Sequence, residues 1–218
     1  LSEKMVRLIL VRHGESIANK KGIFQGQTYD TGLTARGQKQ ALFLARLLIK
    51  IGATKIIASH LKRARETAEI IARQLSLSVT IDDSIIEISH GRWESHTNEW
   101  VKSNYGDLLK LWRREPTRVQ MPDGENLKQI CKRVKSFLEN VVKEYEGKTV
   151  IVVGHDLIMK VMIAIIIGLS LDNIWKFRVD NGSLTILELD QTARGRIIVL
   201  NQISHLGKYL SDIDSQAL

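Results

Sequence analysis

Unbroken apolar runs alternate along the chain with stretches in which apolar positions recur every three or four residues, the periods of buried strands and amphipathic helices. Arg7 to Val11, with its LILV run, reads as a buried strand that leads directly into Arg12, His13 and Gly14. Thr34 caps a helix whose Ala41, Leu42, Leu44, Ala45, Leu48 and Ile49 recur at helical spacing until Gly52 stops it. Lys55 to Ala58 forms a second strand, Ser59 opens a helix carrying Arg63, Thr67, Ala68, Ile70, Ile71 and Leu75, and Val79 to Ile81 is a third strand.

From Asp82 to Gly124 the rhythm breaks, and both prolines and three of the four tryptophans gather there. Short helical pieces at Glu94 to Tyr105 and Asp107 to Arg114 make this stretch a small, mainly helical cap insertion, approximately 88–124, within a single domain spanning 1–218. Regularity returns with a helix Asn126 to Tyr145, a strand Thr149 to Val153 and a helix Leu157 to Ile167. Strands Ser183 to Glu188 and Arg196 to Ile203 follow, and the tail after His205 has little pattern. Strands alternating with helices predict an α/β fold, three layers α/β/α around a mostly parallel sheet.

Composition narrows the setting. In 218 residues, 44% apolar and 26% charged, there is enough apolar material for one sizeable core. The lone Cys131 has no partner for an internal disulfide, and Leu1 to Val11 is too short for a signal peptide, which together suggest a cytoplasmic setting. The longest apolar run, Val161 to Leu169, is about half of the roughly 20 residues a membrane-spanning helix needs, so no membrane association is expected. The net charge of +8 attracts polyanions, but the basic residues are scattered over helix faces such as Lys62, Arg65 and Lys128, Lys132, Arg133, Lys135. They lack the interleaved aromatic pattern of single-strand binders, and nucleic acid is not an expected partner.

In open α/β sheets ligands bind beyond the carboxyl ends of the strands, where helix amino termini present free N–H groups. His13 follows the first strand there, and His155 follows the strand ending at Val153 with only Gly154 between. Arg12 and Arg63 add guanidinium forks suited to phosphoryl oxygens, and Asn19, six residues after His13, adds a further donor. Other phosphate devices fail on inspection. Gly147-Lys148-Thr149 precedes a strand and lacks the first glycine of a P-loop, and no two glycines are separated by a single residue. Six residues after Cys131 stands Phe137, where a cysteine-dependent phosphatase needs Arg. Metal-ligand spacing is missing too, and no metal is expected. The remaining nucleophile is imidazole itself, which can attack phosphorus and form a phosphohistidine.

Leu10-Val11-Arg12-His13-Gly14-Glu15-Ser16 resembles the signature of the histidine phosphatase superfamily, also called phosphoglycerate-mutase-like. Leu61 to Ala68 resembles its LxRAxxTA helix, which maps its arginine to Arg63. Glu87 to Glu94 resembles its ExxxGxWE segment, and Gly154-His155-Asp156 its second-histidine segment. The likeness runs from Leu8 to Glu188. It departs from the family at Ser95, at Gly124-Glu125-Asn126, and at Asp156, where glycine is common. The resemblance implies His13 as nucleophile, Arg12, Arg63 and a protonated His155 around the phosphoryl oxygens, and Glu87 as general acid. Asp156 either dampens the positive pocket or keeps His155 protonated. Substrate binding is expected from Arg12, Asn19, Gln25, Gly26, Arg63 and His155, while Glu15 and Glu94 read as structural and Trp93, Trp100 and Trp112 as packing.

Within the family, hydrolysis competes with mutase chemistry. Mutases generally carry a longer insertion after the acid segment, and only Gly91 to Gly124 is available here. A metal-independent phosphatase acting on a small phosphorylated metabolite is therefore the leading expectation, with Arg113 and Arg114 gripping an anionic substrate tail. The alternative is a cofactor-dependent phosphoglycerate mutase, which would need 2,3-bisphosphoglycerate as primer. A remoter alternative is a noncatalytic phospho-ligand or nucleic-acid binding module. The assembly is expected to be a monomer or homodimer.

Overall fold

The computed structural model describes residues 5–212 and 216–217. Strand β1 (Val6–Arg12) shows how the layers arise: Val6, Leu8 and Leu10 turn to one face, Ile9 and Val11 to the other, and every one of them is buried. A strand buried on both faces reads as continuous rather than alternating. Around it are α1 (Ile17–Lys21), α2 (Ala35–Leu48), β2 (Ala53–Ala58), α3 (Lys62–Leu75), β3 (Val79–Ile81), α4 (Asn98–Arg114), α5 (Leu127–Glu144), β4 (Thr149–Gly154), α6 (Asp156–Ile167), β5 (Leu184–Leu189) and β6 (Gly195–Gln202). The six strands form one sheet in the order β3-β2-β4-β1-β5-β6. β3, β2, β4 and β1 are mutually parallel, and β5 joins antiparallel to both β1 and β6. The fold is thus α/β with a six-stranded, mostly parallel mixed sheet.

Helices α2 and α3 cover one face through Leu44, Ala45, Leu48, Ala64, Ala68 and Ile71. Helices α5 and α6 cover the other through Ile130, Val134, Phe137, Ile158, Met162 and their neighbours. The segment between β3 and α5 packs into that second core by Trp93, Val101, Leu109 and Trp112. Trp93 meets Phe24 edge-on and Trp112 meets Trp175, so the two buried tryptophans pack as expected. Trp100 is partly buried and stacks on His96.

Element boundaries moved in places, each for a local reason. The two expected pieces at 94–105 and 107–114 are one helix, α4, interrupted at Tyr105, whose φ of −136° and ψ of 32° are non-helical. Ser59 does not open α3. The helix starts at Lys62, whose backbone N–H donates to both carboxylate oxygens of Asp30 at 3.0 Å, a cap supplied from a distant loop. Short α1 was not anticipated, and it forms because Ser16 and Asn19 make a reciprocal capping box.

Candidate active site

Parallel pairing of β1 with β4 brings the two histidines together. In register, Arg12 stands opposite Gly154, and the His13 backbone N–H donates to the Gly154 carbonyl at 3.0 Å. Each histidine follows at once on its strand, and the ring centroids lie 5.3 Å apart, inclined by 59°. β2 lies on the other side of β4, so its carboxyl end delivers the first turn of α3, and with it Arg63, to the same edge.

The His13 Nδ1 lies 2.7 Å from the Gly14 carbonyl oxygen. A carbonyl only accepts, so Nδ1 carries the proton and Nε2 keeps its lone pair. Gly14 must be glycine there, because a Cβ would strike the Gly37 carbonyl. Burial, reinforced by Arg63 and then Arg12, pushes the His13 pKa well below the usual imidazole value. The Arg63 guanidinium donates to the Gly26 carbonyl at 3.0 Å and pairs with Asp30 at 3.4 Å. Burial lowers its pKa to about 10, against the pull of Glu87 and Asp30, so it stays cationic at neutral pH. Arg12 donates to the Val179 carbonyl at 2.7 Å and to the Gln216 side-chain oxygen at 3.0 Å. The Nε atoms of both arginines are buried without a hydrogen-bond partner among the described residues. Two unpaired guanidinium N–H groups beside a free imidazole lone pair make an anion site.

His155 caps the amino terminus of α6 and is fully buried, and neither ring nitrogen has a partner among the described residues. Burial, then Arg63, His13 and Arg12, lowers its pKa well below the ordinary value. The protein's own groups thus disfavour the imidazolium here, while the expected imidazolium belongs to the state in which a phosphoryl dianion adds its charge.

Glu87 lies in the same small cavity as Arg12, His13, Asn19, Arg63 and Asp156. Its pKa is raised, chiefly by burial, although the Ile88 N–H at 2.9 Å and Arg63 pull the other way. Of the loop candidates, Asn19, Gln25 and Gly26 all line this cavity. The Asn19 Oδ1 is occupied by Ser16 and by Asn181, which leaves its amide N–H groups for the pocket. Gly26 has φ +53°, and a Cβ there would collide with the Glu94 carboxylate. That carboxylate accepts from the backbone N–H groups of Gln27, Thr28 and His90, and Glu15 accepts from Thr34, Arg36 and Ser211; both are structural, as expected.

Arg113 and Arg114 do not reach the cavity. They are exposed at the end of α4, where Arg113 donates to Asn98 and Arg114 to Glu115, so neither is placed to grip a substrate tail. Lys62 and Arg65 are exposed on α3, in agreement with their reading as solvated charges. Asp156 pairs with Lys160 at 2.9 Å and lies 3.8 Å from Arg12. A roomier surface groove, about 630 Å³ along α5 near Cys131, contains none of these groups, so the small charged cavity is the chemically equipped one.

Sequence reasoning missed four contributors. His90 lines the cavity and its pKa falls to about 4, mainly through burial; its place three residues after Glu87 was its only signal. Arg133 of α5 donates to the carbonyls of Ser84 and Ile86 at 2.8 and 2.6 Å and to that of Glu87 at 3.3 Å. Gln216 bridges Arg12 and Asn181, and Ala217 beside it lines the cavity. Nothing in the local pattern of the tail pointed to these last two. Among the described residues no group of three or more His, Cys, Asp or Glu is gathered as for a metal ion, and no helix is long and apolar enough to cross a membrane.

Comparison with known proteins assigns the chain by a second route. The model of the histidine phosphatase superfamily (branch 1) matches residues 8–202. Phosphoserine phosphatase 1 of Hydrogenobacter thermophilus is 40% identical over 94% of this chain and 96% of its own length. The adenosylcobalamin/alpha-ribazole phosphatase of Escherichia coli is 30% identical over 85% and 91%. The solved structure of Bacillus stearothermophilus YhfR superposes with a TM-score of 0.87 at 28% identity, covering 92% of this chain and 99% of that one. With its sheet, its paired histidines and its match over almost its whole length in agreement, the chain belongs to branch 1 of the histidine phosphatase superfamily and is a phosphomonoesterase of that family.

Proposed function

We propose that the protein hydrolyses small phosphomonoesters, O-phosphoserine foremost, without a metal and through a phosphohistidine on His13. The observation that carries this reading is the 2.7 Å approach of His13 Nδ1 to the Gly14 carbonyl: it calls for the proton on Nδ1, so that Nε2 presents its lone pair in the cavity shared with two guanidinium groups whose Nε–H donors are unpaired among the described residues. Nε2 attacks phosphorus as the ester P–O bond breaks, and protonated Glu87 gives its proton to the departing oxygen. Arg12 and Arg63 take up the charge on the equatorial oxygens, joined by His155 once the phosphoryl dianion has made it an imidazolium. In the second half the Glu87 carboxylate removes a proton from water, water oxygen bonds to phosphorus, the P–N bond breaks, and inorganic phosphate leaves.

Phosphoserine is favoured by the 40% identity to a phosphoserine phosphatase across nearly both full chains. Hydrolysis is favoured over the mutase alternative by the short segment between Glu87 and α5, which leaves little chain to shield a phosphohistidine from water. A panel of phosphorylated metabolites tests both points, with 3-phosphoglycerate assayed with and without 2,3-bisphosphoglycerate for free phosphate and for isomerised product. Phosphate release, greatest from phosphoserine, is the expected result; primer-dependent isomerisation would overturn the hydrolase reading. His13→Ala should abolish the acid-labile phosphoenzyme and lower kcat by at least about 10³-fold. A phosphoenzyme still trapped on that variant would remove His13 from the role.

A further inference from the structure

Asp156 is the one carboxylate in the pocket for which the phosphoryl chemistry above has no use. It is 3% exposed, one of its oxygens accepts from the Lys160 ammonium at 2.9 Å, and the other, Oδ1, has no hydrogen-bond partner among the described residues. The side chain lines the cavity together with Arg12, Glu87 and Ala217. Neither neighbouring cation is placed to fill Oδ1. Lys160 is buried, gives its hydrogen bond to Oδ2 and lies 4.5 Å over the ring of Trp175. The nearest Arg12 nitrogen, Nη1, already donates to Val179 at 2.7 Å and stays 3.8 Å from Oδ1.

Even with Lys160 on its Oδ2, a carboxylate oxygen at the wall of a phosphate pocket gives a dianion no donor and repels its oxygens. The repulsion becomes attraction when the substrate brings a cation of its own, and a buried acceptor left unpaired is the mark of a site completed by a ligand donor. A hydroxyl would bond to Oδ1 without relieving the repulsion, whereas an ammonium does both. We propose that Asp156 Oδ1 is an ammonium subsite, so that the enzyme selects phosphomonoesters that carry an amino group close to the ester oxygen. The proposal rests on the reading of the pocket as the place of phosphoryl transfer to His13. It also gives the departure from the family's usual glycine at this position a purpose: the added carboxylate separates zwitterionic esters from wholly anionic ones. Asp156 and Glu87 line the same cavity, so a cation bound at Oδ1 stands near the proposed acid.

The test compares O-phospho-L-serine with 3-(phosphonooxy)propionate, the same skeleton without the amino group, and with phosphoethanolamine, which keeps the amino group and lacks the carboxylate. In the wild-type enzyme kcat/KM for phosphoserine should exceed that for the des-amino ester at least about tenfold, because a site built for a donor rejects the analogue lacking it. Asp156→Asn should bring that ratio close to one. Since this variant leaves Lys160 buried without its counter-ion, the double variant Asp156→Asn, Lys160→Met, which removes both charges, provides a second reading of the same ratio. A wild-type ratio near one, or a ratio that survives in both variants, overturns the subsite. If phosphoserine is the best substrate and the ratio survives, the subsite falls and the phosphoserine reading stands. If phosphoethanolamine is preferred and that preference needs Asp156, the phosphoserine reading falls and the subsite stands.

Discussion

A histidine attacks phosphorus only through an unprotonated nitrogen, and at position 13 one hydrogen bond decides which nitrogen that is. The Gly14 carbonyl fixes the proton on Nδ1, and burial among Arg63 and Arg12 keeps the ring from taking a second. The acid role proposed for Glu87 has the opposite requirement, a carboxyl that keeps its proton to give away. Burial moves its pKa in that direction, with Asp156 adding to the effect and Arg63 opposing it. Glu87→Gln should therefore lower kcat/KM for phosphoserine by about 10²- to 10⁴-fold, while an aryl phosphate, whose phenolate leaves without a proton, loses far less. The alkaline limb of the phosphoserine profile should vanish in the same variant; equal losses on both substrates would take the acid role from Glu87. The identities of these residues were legible in the sequence because each stands inside a short motif at a strand or helix end. The downward shift of the His155 pKa was not, because it follows from complete burial beside two guanidinium groups, and burial is a property of the packed molecule.

At the scale of elements, the strand ends explain where the candidate site gathers, and helix α5 explains how the segment carrying Glu87 is held. In sequence Arg133 is one of four basic residues, with Lys128, Lys132 and Lys135, on what reads as a solvated helix face. In the fold it turns inward, donates to three consecutive-turn carbonyls at Ser84, Ile86 and Glu87, and pairs with Glu125 at 3.2 Å. Periodicity locates the helix but says nothing of which polar residue meets a loop that arrives from 46 positions away. Asp30 on the amino terminus of α3 is a second case, since the capping residue comes from outside the local window that a sequence reading inspects. Arg133→Met should leave those carbonyls without their donor and cost about 1–3 kcal/mol of stability. Its larger effect should fall on kcat, with KM for phosphoserine nearly constant, and more on alkyl than on aryl phosphates, because the backbone that carries Glu87 loses its anchor. A uniform loss on all substrates would mark Arg133 as a stabiliser of the fold with no part in placing the acid.

For the molecule as a whole, the layered α/β architecture and the parallel core were legible because strand and helix periods differ, and β1 and β4 are long enough in apolar residues to be unmistakable. The order of strands, the contact of Gln216 with Arg12 and Asn181, and the place of Ala217 in the cavity depend on contacts between residues far apart in the chain and leave no periodic trace. The same long-range assembly makes stability depend on pH. His13, His155 and His90 are buried with lowered pKa values, His90 at about 4, whereas in the unfolded chain each titrates near the ordinary imidazole value of about 6.5. Between those values the unfolded chain binds more protons than the folded one, so stability is present in full above the unfolded value and is lost as pH falls toward the folded values. For His90 alone the loss approaches about 3 kcal/mol by pH 4. Glu87 acts in the contrary direction, since its raised pKa favours the folded state at acid pH, but it is one group against four, because burial lowers the pKa of His205 as well. The melting temperature should therefore fall as pH is lowered from 8 to 5.5. A bound dianion inverts the term for His155 by favouring its imidazolium, so saturating inorganic phosphate should raise Tm more at pH 6 than at pH 8. A stabilisation by phosphate that is larger at pH 8 would mean that the anion binds away from the paired histidines.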